Sequence, residues 1–599
     1  MDEPWSRRGP ERSLSGRLPF RSALTVAPSG PLVPNGRMIT PSNAGLLERW
    51  RDEPAPLLPL LHALHERDGY LSEDALGFVS KELRIPIAEL FGTVTFYHHF
   101  SRRPGGRDRP RVCTGPVCAL RGAHQIMDEL RESGDEPEEM PCPGRCDQPV
   151  PVLRGDLVST GTSAASLTTG PALLPPPPAT GVTECVFAGI REPARNTLDG
   201  YRAGAGYTGL VRAMEMGPGD VLDLMDASGL AGRGGAGFPT GRKWRAVSEA
   251  DGTPKSIVCN ADEGEPGCFK DRVLMDYDPH ALIEGMAIAA FATGASRGFI
   301  YLRYEYPDTL HVLERAIEEA TEAGLLGESI LGSSFSFHLW VRRGAGAYIC
   351  GEETSLLNSL EGKHPFPRNR PPFPVTHGYE DLPTVVNNVE TLCSVPPILV
   401  HGAEWYSGLG TGEHAGTKVI SLSGDVRRPG NYEVPIGFPL RTLLHEVAGG
   451  PSEGRTIRAV TMAGLSGGFI AGADLEEITL DEPSIRSKGG FLGAGGIMVF
   501  DDSRDIVAVA RGAMEFFAEE SCGKCFPCRI GTERLVERLA GTGPSSLTDW
   551  VDEVADLGET MKKTSACGLG QAAPLITESL LKYFPNEVAA HVAGSDSAT

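Results

Sequence analysis

No run of the 599-residue chain is apolar for long enough to cross a bilayer. The longest, around Ala281 to Thr293, is broken by Glu284 and Gly285. Basic residues are also in short supply: 56 Lys and Arg stand against 78 Asp and Glu, a formal charge of −22. General nucleic-acid binding needs a cationic surface to displace counterions from phosphate and is excluded, while a small cationic pocket is not. The pair Arg7-Arg8 lacks the apolar segment that an export signal places after it; Pro, Ser and more Arg follow instead. Residues 1–44 therefore read as a flexible basic arm. A reducing, cytoplasmic setting is expected, in which clustered cysteines serve as metal ligands before disulfides.

Two separated CxxC knuckles, the usual zinc pattern, are missing too. In their place Cys522, Cys525 and Cys528 form CxxCxxC within ESCGKCFPCRIG, and Cys567 follows downstream in SACGLG. Three thiolates at this spacing wrap one face of a cubane and a distant fourth completes it, so a 4Fe–4S cluster is expected in preference to zinc. Lys524 and Arg529 would partly offset its charge. Upstream, Cys113, Cys118, Cys142 and Cys146 are spaced CxxxxC and CxxxC on either side of a helix-like stretch, Gly122 to Ser133. Four thiolates suit a 2Fe–2S cluster, two per iron, with a zinc site as the alternative. A dithiol redox pair is disfavoured because neither spacing is CxxC. Cys185, Cys259, Cys268, Cys350 and Cys393 lie among apolar or glycine-rich neighbours and read as core thiols. His98 and His99, in an aromatic segment, read as packed or surface residues.

Leu46 to His99 has helical apolar spacing, carried by Leu57, Leu58, Leu60, Leu61 and Leu64 and then by Leu76, Phe78 and Val79. Gly161 to Gly181, with four consecutive prolines from Pro175, reads as a stiff linker. Gly200 to Leu399 alternates helical and β-rich segments, as an α/β domain does. Thr417 to Phe500 carries short β-type runs between turns. The last hundred residues or so return to helical spacing.

The stretch LAGRGGAGFPTGRKW, Leu230 to Trp244, contains an unbroken GxGxxG. A Rossmann fingerprint needs a strand immediately ahead of the glycines. The preceding Gly219–Ser228 is helix-patterned and closed by Gly229, and Pro239 follows the last glycine. The loop therefore runs from helix to helix, and its glycines serve close backbone approach to a phosphate or flat ring, with Arg242 and Lys243 as cations. Asn260, Asp262, Glu263 and Glu265 follow a short strand; Tyr348, Glu352 and Glu353 flank a second glycine run; Asn387 and Asn388 are adjacent amides. Acidic, amide and glycine groups recurring on several loops fit a ligand rich in hydroxyls and ring nitrogens.

GRGGAGFPTGRKW, CNADEGEPG, GAGAYICGEE, VNNVET and ESCGKCFPCRIGT, in this order, resemble the flavin-bearing NADH-oxidising subunit of respiratory complex I and its relatives. The region with the first quartet, lying upstream on the same chain, resembles that enzyme's small thioredoxin-like 2Fe–2S subunit. The resemblance implies an α/β multidomain chain: a helical bundle and thioredoxin-like 2Fe–2S domain (45–160), a linker (161–182), an FMN- and NAD-binding domain with a non-Rossmann glycine loop (183–412), a ubiquitin-like β-grasp domain (413–502) and a helical bundle with a 4Fe–4S cluster (503–599). It implies that Gly232, Gly234, Gly235, Lys243, Asn260, Asp262, Glu263, Tyr348, Gly351, Glu352, Asn387 and Asn388 line FMN. Phe238, Glu265, Glu353 and Phe373 would border NAD(H), joined by Arg370, an arginine where the family commonly has a lysine. Cys268 stands where threonine is frequent. No catalytic side chain is implied, because the flavin carries the hydride chemistry. Fusions of this kind resemble the diaphorase subunits of NAD-dependent molybdenum or tungsten formate dehydrogenases and of NAD-reducing hydrogenases. GYRAGAGY (Gly200–Tyr207), the arm and the complete first quartet look more like the formate dehydrogenase β subunit. The implied partner is a large catalytic subunit with further iron–sulfur clusters and a bis-pterin metal site; a flavin-free iron–sulfur carrier is the reading from a different class.

Overall fold

The computed structural model describes residues 41–411, 414–543 and 546–595; the arm through residue 40 lies outside them. The first helix, Asn43–Trp50, is started by Ser42, whose Oγ accepts from the Gly45 N–H at 3.1 Å. It thus begins slightly ahead of residue 45. Leu57–Asp68 buries the leucines that set its spacing and stops at Gly69, held left-handed at φ 74°. Glu73–Leu83, capped by Ser72, and Ile87–Phe96 complete the bundle. Beyond it, His99 Nε2 lies 3.0 Å from Glu305 and its ring stacks on Tyr304 at 4.3 Å, while His98 pairs with Glu520 at 3.3 Å. Both histidines are occupied by carboxylates.

Strands β1 (Arg111–Cys113), β2 (Glu138–Met140), β3 (Pro151–Arg154) and β4 (Leu157–Thr160) form a sheet in the order β2-β1-β3-β4. β1 and β2 are parallel and the other pairs antiparallel. Helix Ala123–Glu132 packs through Ala123, Ile126, Met127 and Leu130, the 3.6-residue face of that segment. The stretch read as a spacer is laid onto the body instead. Thr160 bridges Thr168, Ala172 is buried, and Arg191 donates to the Pro175 carbonyl at 3.0 Å.

The central domain is built on β5 (Lys255–Ala261), β6 (Ala295–Leu302), β7 (His338–Arg343) and β8 (Thr384–Asn388), all parallel, in the order β7-β6-β5-β8. The longest apolar run of the sequence lies in helix Pro279–Thr293, buried nearly all round. Among the described residues no helix is long and apolar enough to cross a membrane. Next come β9 (Thr417–Gly424), β10 (Gly430–Pro435), β11 (Ile457–Thr461), β12 (Phe469–Ala471) and β13 (Gly496–Asp501), in the order β10-β9-β13-β11-β12. β9 and β13 are parallel there and the other neighbours antiparallel, an arrangement of the β-grasp type. Helices Ile506–Glu519, Phe526–Leu539, Leu547–Thr564, Pro574–Tyr583 and Pro585–Ser595 close the chain. One continuous apolar core runs from Leu47 through Leu356 and Leu357 to Val592, so the first and last bundles share their interior with the central domain.

Candidate flavin and iron–sulfur site

In the parallel sheet, connections after β5 lead to β6 and β7 on one side, whereas β8 lies on the other. The carboxyl ends of β5 and β8 therefore flank a topological switch point, where open α/β sheets bind ligands. Asn260 and Asn388 are register partners across that point. The glycine loop arrives beside it from helix Pro218–Ser228, which ends at Gly229 (φ 69°), and leaves into helix Thr240–Glu249, with Pro239 at its N-cap. No strand precedes the glycines, so the Rossmann reading is rejected. The loop is pinned at its neck, Gly232 N–H donating to Phe238 O at 2.9 Å and Thr240 N–H to Leu230 O at 2.9 Å. Gly235 sits at φ 126°, a conformation that β-carbons oppose.

A cavity of about 320 Å³ opens at this point, within the range of small-molecule sites. Of the residues expected around FMN, Gly234, Gly235, Asn260, Asp262, Glu263, Tyr348, Gly351, Glu352 and Asn388 line it, joined by Glu265 from the NAD set. Gly232, Lys243 and Asn387 are absent from its wall. Successive side chains of a strand face opposite ways, and Asn387 turns to accept from Trp244 Nε1 at 2.8 Å. Lys243 Nζ is held by Val386 O at 3.0 Å and Glu353 at 3.3 Å, so it is no free cation for a phosphate. Phe238, Glu353, Arg370 and Phe373 also lie off the wall; both phenylalanines are about half exposed, and Arg370 pairs with Glu352 and Glu353.

Sequence reasoning missed part of the wall. Ala463, Ser466, Phe491, Gly493 and Ala494 of the β-grasp region and Cys567 to Leu569 of the last bundle enclose the cavity. Cys268, read as a core thiol, lines it as well as being buried. The β-grasp wall also fixes Glu265, which accepts from Leu465 N–H (2.7 Å), Ser466 N–H (3.0 Å), Ser466 Oγ (2.6 Å) and Tyr348 Oη (2.5 Å). Burial raises the Glu265 carboxyl even against these donors. Burial, reinforced by Asp271, pushes Glu263 up to about 7.

The wall fits a flavin on two counts. Asp262 Oδ2 is buried at the cavity without a hydrogen-bond partner, and burial holds its carboxyl well above the usual range although Arg303 opposes this. A β-carbon on Gly234 would lie 2.9 Å from Asn388 Cβ, so backbone rather than side chain must meet the ligand there.

Cys522, Cys525, Cys528 and Cys567 surround a second, small cavity, and Cys567 lines both. Burial pushes the Cys528 thiol up to about 12 and Cys567 to about 11. A thiolate buried here would need a cation beside it, and the iron of a cluster would supply one. Cys113 ends β1, Cys118 lies on helix Pro116–Ala119, and Cys142 and Cys146 lie in the segment after β2, with their sulfurs 3.2 Å apart. All four are buried. Among the described residues no three His, Cys, Asp or Glu side chains converge as they would on one ion; a cluster spreads its thiolates over several irons and needs no such convergence. Cys142→Ala is expected to remove a 2Fe–2S signal and destabilise the module around β1 to β4, since cluster binding and folding are coupled. Zinc in place of iron at this quartet, by metal analysis of the wild type, would overturn that expectation.

The chain matches the model of the Nuo51 FMN-binding domain over residues 225–397 and that of the NADH-ubiquinone oxidoreductase-F iron–sulfur binding region over 508–591. It matches the thioredoxin-like [2Fe–2S] ferredoxin over 44–164 and the SLBB domain over 419–468. It is 47% identical over 405 residues to an F-type subunit of the NADH-quinone oxidoreductase of Rhizobium meliloti, covering 67% of this chain and 95% of that one. It is 45% identical over 398 residues to the HndC subunit of the NADP-reducing hydrogenase of Solidesulfovibrio fructosivorans, covering 66% and 81%. A chain of an air-oxidized NAD+-reducing [NiFe]-hydrogenase superposes with a TM-score of 0.75 at 32% identity, over 90% of this chain and 94% of that one. With the switch-point cavity and two cysteine quartets, these likenesses show that the chain belongs to the family of NADH-quinone oxidoreductase F-type subunits, as an NAD-dependent oxidoreductase of the FMN and iron–sulfur class with a thioredoxin-like [2Fe–2S] module on the same chain.

Proposed function

We propose that this chain is the NAD(H)-linked diaphorase subunit of a formate dehydrogenase, passing electrons from a partner to NAD+. The observation that carries the diaphorase reading is the shared wall: Cys567 and its neighbours border both the switch-point cavity and the second quartet. A flavin held there would adjoin a 4Fe–4S cluster held by the quartet, with Cys567 and Leu569 of this bundle and Ile349 of the central domain bordering both cavities. When bound, FMN supplies hydride exchange with NAD(H) and single-electron exchange with clusters. The protein's task is to orient, exclude water and tune. Gly234 and Gly351 admit the ring system, Asn260, Asn388 and Asp262 offer it polar partners, and Tyr348 with Glu265 braces the floor. Half-exposed Phe373, and Phe238 with the Arg242 guanidinium 5.8 Å from its ring centroid, offer aromatic surface to a base, and Arg370 between Glu352 and Glu353 forms a charged rim for the dinucleotide.

The formate reading is supported by GYRAGAGY and by the complete first quartet. It implies a large partner subunit with further clusters and a molybdenum or tungsten bis-pterin site. None of the thirteen cysteines is paired in a disulfide, which suits a cytoplasmic chain. A hydrogenase partner is favoured in turn by the superposition over 90% of the chain. Purifying the intact assembly through a tag on this chain separates the two. Molybdenum or tungsten with formate-driven NAD+ reduction is the expected result; nickel with hydrogen-driven NAD+ reduction would replace the formate reading.

A further inference from the structure

We propose that Arg303, outside both quartets and off the flavin-cavity wall, is a positioning residue that locks the flavin loop to the first quartet and, with Glu305 behind it, sets the reduction potential of the 2Fe–2S cluster. The inference rests on assigning Cys113, Cys118, Cys142 and Cys146 to that cluster.

Arg303 immediately follows β6 and donates in three directions. Nη2 reaches the carbonyl of Cys142 at 2.8 Å, Nη1 reaches the carbonyl of Glu263, and Nε reaches Glu305 Oε2 at 3.0 Å. The three acceptors belong to a ligand loop, to the wall of the flavin cavity, and to a carboxylate whose other oxygen meets His99 of the N-terminal segment. A planar guanidinium fork can hold three such acceptors at once, whereas an ammonium on a flexible stem cannot fix their mutual geometry. Both charged residues are almost wholly enclosed, Arg303 at 4% and Glu305 at 3% exposure. Although burial works against it, Arg303 and then His99 hold the Glu305 carboxyl well below the usual range, so the pair is ionised.

The consequence is a buried dipole with a fixed sense. Its positive end touches the main chain of a cluster ligand, and its negative end lies beyond the guanidinium, toward His99. Reduction adds one electron to the cluster, and a nearby positive end in a medium of low dielectric favours it. Removing the positive end and removing the negative end must therefore move the potential in opposite directions. A residue that served only to pack the interface would not produce two shifts of opposite sign.

The test is a redox titration of the 2Fe–2S electron paramagnetic resonance signal in the full-length holoprotein, with iron and flavin measured on the same samples. At the wild-type midpoint, Arg303→Met is expected to lower the ratio of reduced to oxidised cluster about tenfold, or about 59 mV for a one-electron couple. Glu305→Gln is isosteric, its amide oxygen accepting from Arg303 and its NH2 donating to His99 Nε2 once the imidazole carries its proton on Nδ1; it is expected to raise the ratio severalfold. Arg303→Lys retains the charge and should return most of the way to wild type. If Arg303→Met does not fold, the upward shift in Glu305→Gln decides the matter. Wild-type midpoints in both folded variants, or shifts in the same direction, would overturn the proposal. A wild-type protein with no 2Fe–2S signal at all would overturn the cluster assignment as well, and is told apart by the missing signal.

Discussion

A Gly234→Val protein is expected to purify without flavin and with its full iron. The reason is contact rather than dihedral strain, because Gly234 itself is not in a left-handed conformation; Gly235 and Gly237 are. A β-carbon on Gly234 would stand 2.9 Å from Asn388 Cβ, and valine adds two methyl groups beyond it. Asn388 cannot easily yield, since its Nδ2 donates to Asp271 at 2.6 Å and its Oδ1 accepts from the Glu390 N–H at 3.0 Å. The clash must therefore be relieved by displacing the glycine loop, which lines the same cavity. Overpacking of this kind costs about 1–3 kcal/mol. Taken out of flavin binding, that cost lowers the affinity by about five- to 160-fold. The cysteines lie on other segments, and their iron should be retained. Flavin and iron assays on one sample check both halves, and stoichiometric FMN in the variant would show that this loop is not the cradle.

Cys525→Ala should abolish the 4Fe–4S signal and all electron transfer to the partner, while NADH still reduces the bound flavin. Cys525 borders only the second cavity, whereas Cys567 borders both. The two alanine variants are therefore expected to differ: Cys567→Ala loses the cluster and weakens the flavin as well, and Cys525→Ala loses the cluster alone. The check is cluster spectroscopy with anaerobic flavin bleaching by NADH. Partner-linked turnover that survives in Cys525→Ala, with the cluster signal intact, would exclude this cysteine as a ligand.

The parts of this site that are local in sequence could be read from it. A helix-patterned segment ending in Gly229 already excluded a strand before the glycine loop, and the tight spacing of Cys522, Cys525 and Cys528 already favoured a cluster. Helix Ala123–Glu132 and the short strands beyond Thr417 fall where periodicity put them. The β-grasp part of the cavity wall was not legible. Ala463, Ser466, Gly493 and Ala494 are small and neutral, and they reach the flavin loops only because the β-grasp sheet folds back over them. Asn387 and Lys243 show a different limit. Both sit in motifs that match the family, but strand alternation and a carboxylate partner direct their side chains away from the cavity. The segment 161–182 reads as a spacer from composition alone, yet Arg191 draws its prolines onto the body.

The interior shared by the first and last bundles dictates an order of events during synthesis. His62 hydrogen-bonds the Gly344 carbonyl at 3.0 Å and Tyr97 the hydroxyl of Ser359 at 2.6 Å, across 282 and 262 residues of chain. Such distant contacts form only after a large loop-closure cost is met, and they slow folding. The leucines of the N-terminal bundle must therefore emerge from the ribosome long before the surfaces that cover them exist. Until the central domain is made, the apolar face that packs against it has no covering surface on the chain. The first bundle and the central domain thus form one interior, and the leucines of the first are covered only once the second is in place.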